Sequence, residues 1–325
     1  MSFLSLMELA RPKQWIKNLF VLAPLIFSHS FLDPTKIGYS IIAFILFSFA
    51  SSCVYIFNDI FDLGKDRLHP LKKNRPIARG AIQVKEALLA GIFLGAITLF
   101  FSAFFSLQFF AVILFYVVLN FLYARWLKHI VIIDLFSVAL GFVLRIIAGG
   151  IAIAVALSPW IIGAAFSIAL FIISSKRFQE LNVILLFRGI TERDHNSDEA
   201  SPVSARNFGE ARSVSAVGYG DARPVLGLYN KEFLRQIIFA SLILTIVVYV
   251  LYAFLEVKNP IFIVTILPVI YGLFRFLWLT EYGEIQSDNP TDILFKDTPL
   301  GVAVFIFIIL VILIFYSDAA SSYIR

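Results

Sequence analysis

The chain has 325 residues, 60% of them hydrophobic and only 15% charged, with a mean hydropathy of +0.88. This balance excludes a soluble globular domain and points to a polytopic membrane protein. A net charge of +5 and a pI near 9.2 would suit nucleic acid, but membrane topology accounts for the basic residues, and the single Cys53 excludes an internal disulfide framework.

Arg11-Pro12-Lys13-Gln14-Trp15-Ile16-Lys17-Asn18 opens the first apolar stretch. No small-residue cleavage site follows it, so the N-terminus reads as a span rather than a cleavable signal. Trp15 reads as an interfacial anchor. Lys17 stands at the first apolar turn, where its ammonium either obeys the positive-inside rule or faces a phosphate. Apolar spans are predicted at roughly 19–32, 39–57, 87–106, 108–124, 131–154, 160–175, 237–255, 260–279 and 299–317, nine in all. With the N-terminus on the inner face, 23 of the 27 Lys and Arg fall in inner loops or, as Arg275 does, at the inner end of a span. Only Lys36, Lys258 and Arg325 fall outside, and Arg145 lies within a span. The expected orientation is therefore N-terminus in the cytoplasm and C-terminus out. The outer connections are short and plain, which puts the chemistry on the cytoplasmic side.

Asn58-Asp59-Ile60-Phe61-Asp62-Leu63-Gly64-Lys65-Asp66 closes the second span. On a helix, Asp59, Asp62 and Asp66 fall at i, i+3 and i+7 and share one face, with Asn58 one turn before Asp62. Crowded carboxylates repel, and a divalent cation is their natural partner. Oxygen ligands of this kind suit Mg²⁺, with substrate phosphates completing its shell. A basic stretch with Lys72, Lys73, Arg75 and Arg79 follows at once. Acid plus base beside a bilayer suggests a metal–diphosphate site; solvated salt bridges are the competing reading.

Tyr123-Ala124-Arg125-Trp126-Leu127-Lys128 ends the fourth span and Asp134 begins the fifth. Tyr123 and Lys128 read either as an aromatic belt with snorkelling bases or as donors to phosphate or ribose. Arg145, inside the fifth span, reads as a functional residue or as one half of a structural pair. Lys176 and Glu180, at i and i+4 after the sixth span, make an ordinary helix pair, while Lys176 and Arg177 together read as a phosphate contact. A polar segment at about 187–236 reads as a linker or as a lid over the inner site. No P-loop, HExxH, CxxC or GxSxG pattern is present.

Nine spans and Asn58-Asp59-x-x-Asp62-x-x-x-Asp66 make the chain similar to the UbiA superfamily of intramembrane prenyltransferases. Within it, the chain most resembles the decaprenyl-phosphate phosphoribosyltransferase branch. The carrying segments are Arg11 to Asn18, Asn58 to Gly80, Asp134 to Gly149, Lys176-Arg177, Arg223-Pro224-Val225-Leu226 and Pro290-Thr291-Asp292-Ile293-Leu294. The resemblance implies one all-α polytopic domain over 1–325, its nine transmembrane helices around a central cavity open to the cytoplasm, in the inner (plasma) membrane. It implies Mg²⁺-dependent transfer of 5-phosphoribose from phosphoribosyl pyrophosphate (PRPP) to a polyprenyl phosphate in the pathway of cell-wall biosynthesis. Asn58, Asp59, Asp62 and Asp66 would hold the metal. Lys17, Asn58, Arg75, Tyr123, Lys128, Arg145, Lys176 and Arg177 would bind substrate. Prenyltransferases of this superfamily carry a second aspartate-rich motif, where this chain has Ser174-Ser175-Lys176-Arg177-Phe178-Gln179-Glu180. That departure favours PRPP over an isoprenyl diphosphate. The alternatives are prenyl transfer to an aromatic acceptor and lipid-phosphate transport. No nucleic acid is expected as a partner; a homo-oligomer is compatible with these features.

Overall fold

A computed structural model describes residues 3–68, 72–196, 224–257, 259–282, 293 and 296–323. Most of the polar segment expected at about 187–236, including Arg223, lies outside the described residues, as do Asn289 to Asp292. Among the described residues every regular element is helical. Eight helices are long and apolar enough to cross a bilayer. They correspond to α3 (Pro34–Phe61), α5 (Val84–Phe105), α6 (Leu107–Arg125), α7 (Ile133–Ala152), α8 (Pro159–Asn196), α9 (Lys231–Leu251), α10 (Ile266–Tyr282) and α11 (Thr298–Tyr323). Large apolar side chains such as Phe93, Phe104 and Leu267 are exposed along them. Such a surface is stable against lipid and not against water, so this is a multi-pass membrane protein.

The expected first span, 19–32, is not among the eight. After α1 (Phe3–Ala10) the chain forms a 3₁₀ stretch, Pro12–Leu22, that passes into the short α2 (Ala23–Phe27). Pro24 fits the first turn of α2 but interrupts any longer α-helix through it. At the 3₁₀ rise of about 2.0 Å per residue, the whole stretch still reaches about 30 Å. Its start runs antiparallel to α3, held by a serine face. The Trp15 indole N–H donates to Ser52 Oγ at 2.9 Å, and Asn18 Nδ2 donates to Ser48 Oγ at 3.1 Å and Ser51 Oγ at 3.0 Å. Ser52 in turn donates to the Ala10 carbonyl at 2.7 Å. Trp15, expected as a lipid-interface anchor, is also tied to a neighbouring helix.

The helices group into two compact units, each built from three chain segments. The first comprises Met1–Asn18, Ile45–Ser137 and Glu180–Lys231. In it α5 and α6 form a hairpin through Ser106 alone, whose side chain caps α6 by accepting from the Phe109 N–H at 3.0 Å. Small residues let α5 close on α3, where a Cβ at Gly95 would stand 3.0 Å from Cys53 Sγ. Leu9, Ile56, Ile77, Ile82 and Ala87 pack together behind the acidic motif.

The second unit comprises Leu19–Phe44, Val138–Gln179 and Glu232–Arg325. Its core includes Tyr249, Tyr252, Phe262 and Phe315, with the last two rings stacked at 5.3 Å. Asp297 caps α11 by accepting from the Leu300 N–H at 2.9 Å and takes Arg275 in a two-pronged ion pair at 3.1 and 2.7 Å. The Arg275 hydrogen bond holds the Asp297 carboxyl below its ordinary range, against the opposing effect of burial. A depressed acid stabilises the fold fully above the unfolded value, near 4, and loses that contribution as pH falls through the folded value. Thermal melting in detergent should therefore show Asp297→Asn below the wild type at neutral pH, and the two converging as the sample is acidified.

Candidate functional site

The acidic motif straddles a break. Asp59 lies in the last turn of α3, Asp62 at the break, and Asp66 in α4 (Leu63–Leu68). Helical hydrogen bonds nevertheless run through it, from Asp62 N–H to the Asn58 carbonyl at 2.9 Å and from Asp66 N–H to the Asp62 carbonyl at 2.8 Å. Asp59 and Asp66 keep the shared face that the spacing predicts, and both are buried. Asp62 is 34% exposed and turns to another partner.

Each carboxylate meets a base. Arg75 Nη1 bridges Asp59 Oδ1 at 3.0 Å and Asp66 Oδ2 at 2.6 Å. Arg11 Nη2 donates to the same Asp59 Oδ1, and the Arg11 guanidinium lies 5.4 Å from the centre of the Tyr55 ring. Lys128 Nζ donates to Asp62 Oδ1 at 2.9 Å. Three bases thus balance three acids. Burial pushes the Asp66 carboxyl up, with Arg75 pulling it back by charge and hydrogen bond. Burial, then the neighbouring Arg75, pushes the Lys72 ammonium down, while Asp66, Glu180 and Asp62 oppose that shift. Farther out, Arg79 pairs with Glu8 at 2.6 Å in an exposed bridge.

Among the described residues no three Asp, Glu, His or Cys side chains converge as ligands of one ion. One atom still fits a cation. Asp59 Oδ2 is buried and has no hydrogen-bond partner among the described residues. A desolvated carboxylate oxygen left unsatisfied is costly unless a positive charge comes to it. Its chemistry, a hard carboxylate oxygen, suits Mg²⁺.

The other predicted residues lie on several elements. Asn58 and Tyr123 are half-buried, on α3 and in the last turn of α6, and Lys17 is half-buried in the 3₁₀ stretch. Arg145, Lys176 and Arg177 belong to the second unit, with Arg145 and Arg177 buried. Arg145 Nη1 donates to the Gly141 carbonyl of its own helix at 2.7 Å, and its guanidinium stands 5.2 Å from the centre of the Phe142 ring.

Sequence reasoning passed over two residues. Arg11 stands in the same Arg11–Asn18 segment as Lys17 but is not among the predicted site residues; its backbone takes a left-handed turn (φ 52°) that aims it at Asp59. Tyr229 follows the 3₁₀ turn Pro224–Leu228, and its hydroxyl donates to the buried Asp134 while accepting from the Ile132 N–H at 2.8 Å. Ile132 is itself left-handed (φ 71°), an unfavourable state for a β-branched residue, and this bond helps hold it beside the Lys128 turn. Tyr229→Phe should cost about 2 kcal/mol, read as a lower melting temperature in detergent together with faster proteolysis near residue 224.

The UbiA prenyltransferase family model matches residues 19–182. The chain is 39% identical over 176 residues to a decaprenyl-phosphate phosphoribosyltransferase of Corynebacterium glutamicum, covering 53% of each chain. It is 37% identical over 183 residues to the protein of the same name from Mycolicibacterium smegmatis, covering 55% of this chain and 57% of that one. These matches span about half the length of the curated relatives. In three dimensions it is similar to a UbiA homologue from Archaeoglobus fulgidus solved with GPP and Mg²⁺, with TM-score 0.63 and 20% identity over 96% of this chain and 99% of the other. That last likeness is one of fold, and the family match covers half the sequence. The chain belongs to the UbiA prenyltransferase family.

Proposed function

We propose that the protein transfers 5-phosphoribose from PRPP to a polyprenyl phosphate and releases pyrophosphate, with Mg²⁺ as cofactor. The observation that carries this reading is the similarity to relatives named for that reaction, at 37–39% identity. The base-lined acidic motif agrees with it, as does the Lys176-Arg177 segment, which has no aspartate where a second acidic motif would serve an isoprenyl diphosphate.

Asp59 through Oδ2, with Asp62, Asp66 and Asn58, would hold the ion. When bound, Mg²⁺ supplies charge that eases departure of the diphosphate. The bond from ribose C1 to the pyrophosphate oxygen breaks with its electron pair, and a lipid phosphate oxygen forms the new bond to C1. The acceptor is already an anion, so no general base is required. The chain's own groups act by position and charge. Arg11 fixes Asp59, while Arg75 and Lys128 lie within reach of the phosphates that the acids would share. Lys17, Tyr123, Arg145, Lys176 and Arg177 are proposed as further phosphate or ribose contacts on sequence grounds. We assign the site to the cytoplasmic side of the inner membrane, with a nine-pass, N-in single domain; PRPP is a cytoplasmic solute.

A second reading, prenyl transfer from an isoprenyl diphosphate, is favoured by the fold neighbour that holds GPP. Purified protein in detergent separates the two. Label from radiolabelled PRPP entering the organic phase with a polyprenyl phosphate and Mg²⁺ supports phosphoribosyl transfer. Consumption of an isoprenyl diphosphate with an aromatic acceptor, and no ribosyl label, supports the second.

A further inference from the structure

Asp59 is divided between two kinds of partner. Its Oδ1 takes two guanidinium groups, from Arg11 and Arg75, while Oδ2 is buried without a partner among the described residues. The two arginines are not alike. Arg11 is set by a left-handed backbone turn and lies over the Tyr55 ring. Arg75 follows the short 3₁₀ turn Lys72–Asn74 and is about as exposed as Arg11, 27% against 22%. It uses one nitrogen, Nη1, for both Asp59 and Asp66 rather than a two-pronged grip on either. Arg11 likewise grips through one nitrogen, so what sets Arg75 apart is that it occupies both carboxylates at once.

Charge balance sets what must move. The directly paired acids and bases already cancel, three against three, and Lys72 and Glu180 beside them add one charge of each sign. A divalent ion added beside them would leave two positive charges uncompensated in a half-buried site, which is strongly unfavourable. A phosphate-bearing substrate supplies the missing negative charge, and a displaced guanidinium is the group that suits it. We propose that Arg75 is the exchangeable counter-ion of the Asp59–Asp66 pair: it occupies the carboxylates in the ligand-free protein, and yields them to a divalent cation as it turns to the phosphate of the incoming substrate. Arg11 stays, holding Oδ1 so that Oδ2 remains presented. The inference rests on the metal-binding reading above and adds an order of events to it, with metal and substrate binding coupled through one side chain.

The test is Mn²⁺ binding to the full chain in detergent, read as loss of the free-ion electron paramagnetic resonance signal, with and without PRPP. Without PRPP, Arg75→Gln should bind Mn²⁺ about tenfold more tightly than the wild type, because the competing cation is gone. PRPP should tighten Mn²⁺ binding in the wild type and do so much less in Arg75→Gln. Arg79→Gln makes the same charge change at the exposed Glu8 bridge and should bind as the wild type does. Arg75→Met serves the same purpose if the glutamine variant does not stay monodisperse. Wild-type binding that responds to PRPP, with Arg75→Gln no tighter, overturns the counter-ion role and leaves the metal site standing. Equal tightening in Arg79→Gln overturns it too, since bulk charge would then explain the gain. No Mn²⁺ binding by any form, with or without PRPP, overturns the metal reading and this inference with it.

Discussion

Asp59→Asn should lower the proposed phosphoribosyl transfer by roughly 10²–10³-fold, the scale of losing one preorganised electrostatic contact to a transition state. Among the acids of the motif, Asp59 alone combines burial, two guanidinium partners and an open oxygen. Asparagine keeps the volume and one carbonyl oxygen for the guanidinium groups, so the helix end should stay formed. What it loses is the charge that a cation needs. The measurement is label transfer from PRPP to lipid, with monodispersity checked by size exclusion. Asp62→Asn should have a smaller effect, because Asp62 is partly exposed and faces Lys128. Near wild-type transfer in a folded Asp59→Asn protein would remove the acidic motif from the mechanism.

Gly149→Ala should be the most damaging small substitution in the second unit. A Cβ there would stand 2.0 Å from the Val21 carbonyl oxygen, 2.9 Å from the Val21 carbonyl carbon and 3.1 Å from Pro24 Cδ. The obstacle is backbone, which cannot rotate aside as a side chain can. The early stretch would have to back away from α7, breaking the packing of Phe20 and Ala23 against Val143, Ile146 and Ala165. Overpacking of this kind costs about 3 kcal/mol or more. In detergent the variant should melt well below the wild type or fail to stay monodisperse. Gly38→Ala is the matched control: a Cβ there meets nothing within 4 Å, and alanine in a helix should be neutral or slightly stabilising. Equal melting of both variants would mean that the approach of Val21 to Gly149 does not occur.

Much of the fold was legible because its signal is local. Eight of the nine predicted apolar spans correspond to long helices, since some twenty apolar residues in a row leave a bilayer chain little alternative to satisfying its backbone internally. The first predicted span takes a different form from the others, and for the same reason its form was not legible. Hydropathy marks 19–32 as apolar but carries no information on 3₁₀ geometry, which here goes with Pro24 and with side-chain bonds from Trp15 and Asn18 to α3. A signal for that docking did exist. Ser48, Ser51 and Ser52 fall at i, i+3 and i+4 in an otherwise apolar helix, a polar stripe that requires partners.

The acidic motif and its basic neighbours were likewise written into the chain, as was the alignment of Asp59 with Asp66, because a helix fixes the direction of residues seven apart. Which base serves which acid was not. Arg11 and Asp59 are 48 residues apart, Lys128 and Asp62 are 66 apart, and Tyr229 and Asp134 are 95 apart. Local periodicity says nothing about contacts at such separations; packing of the helices decides them. Sequence alone therefore determined that this is a helical membrane protein with an acid-and-base motif at one end of a span. The tertiary structure decided that each acid is matched by a base, that Asp62 parts from its two neighbours, and that one buried oxygen of Asp59 has no partner among the described residues. Burial makes those outcomes consequential, since an ion out of water must find its opposite charge wherever the fold brings one.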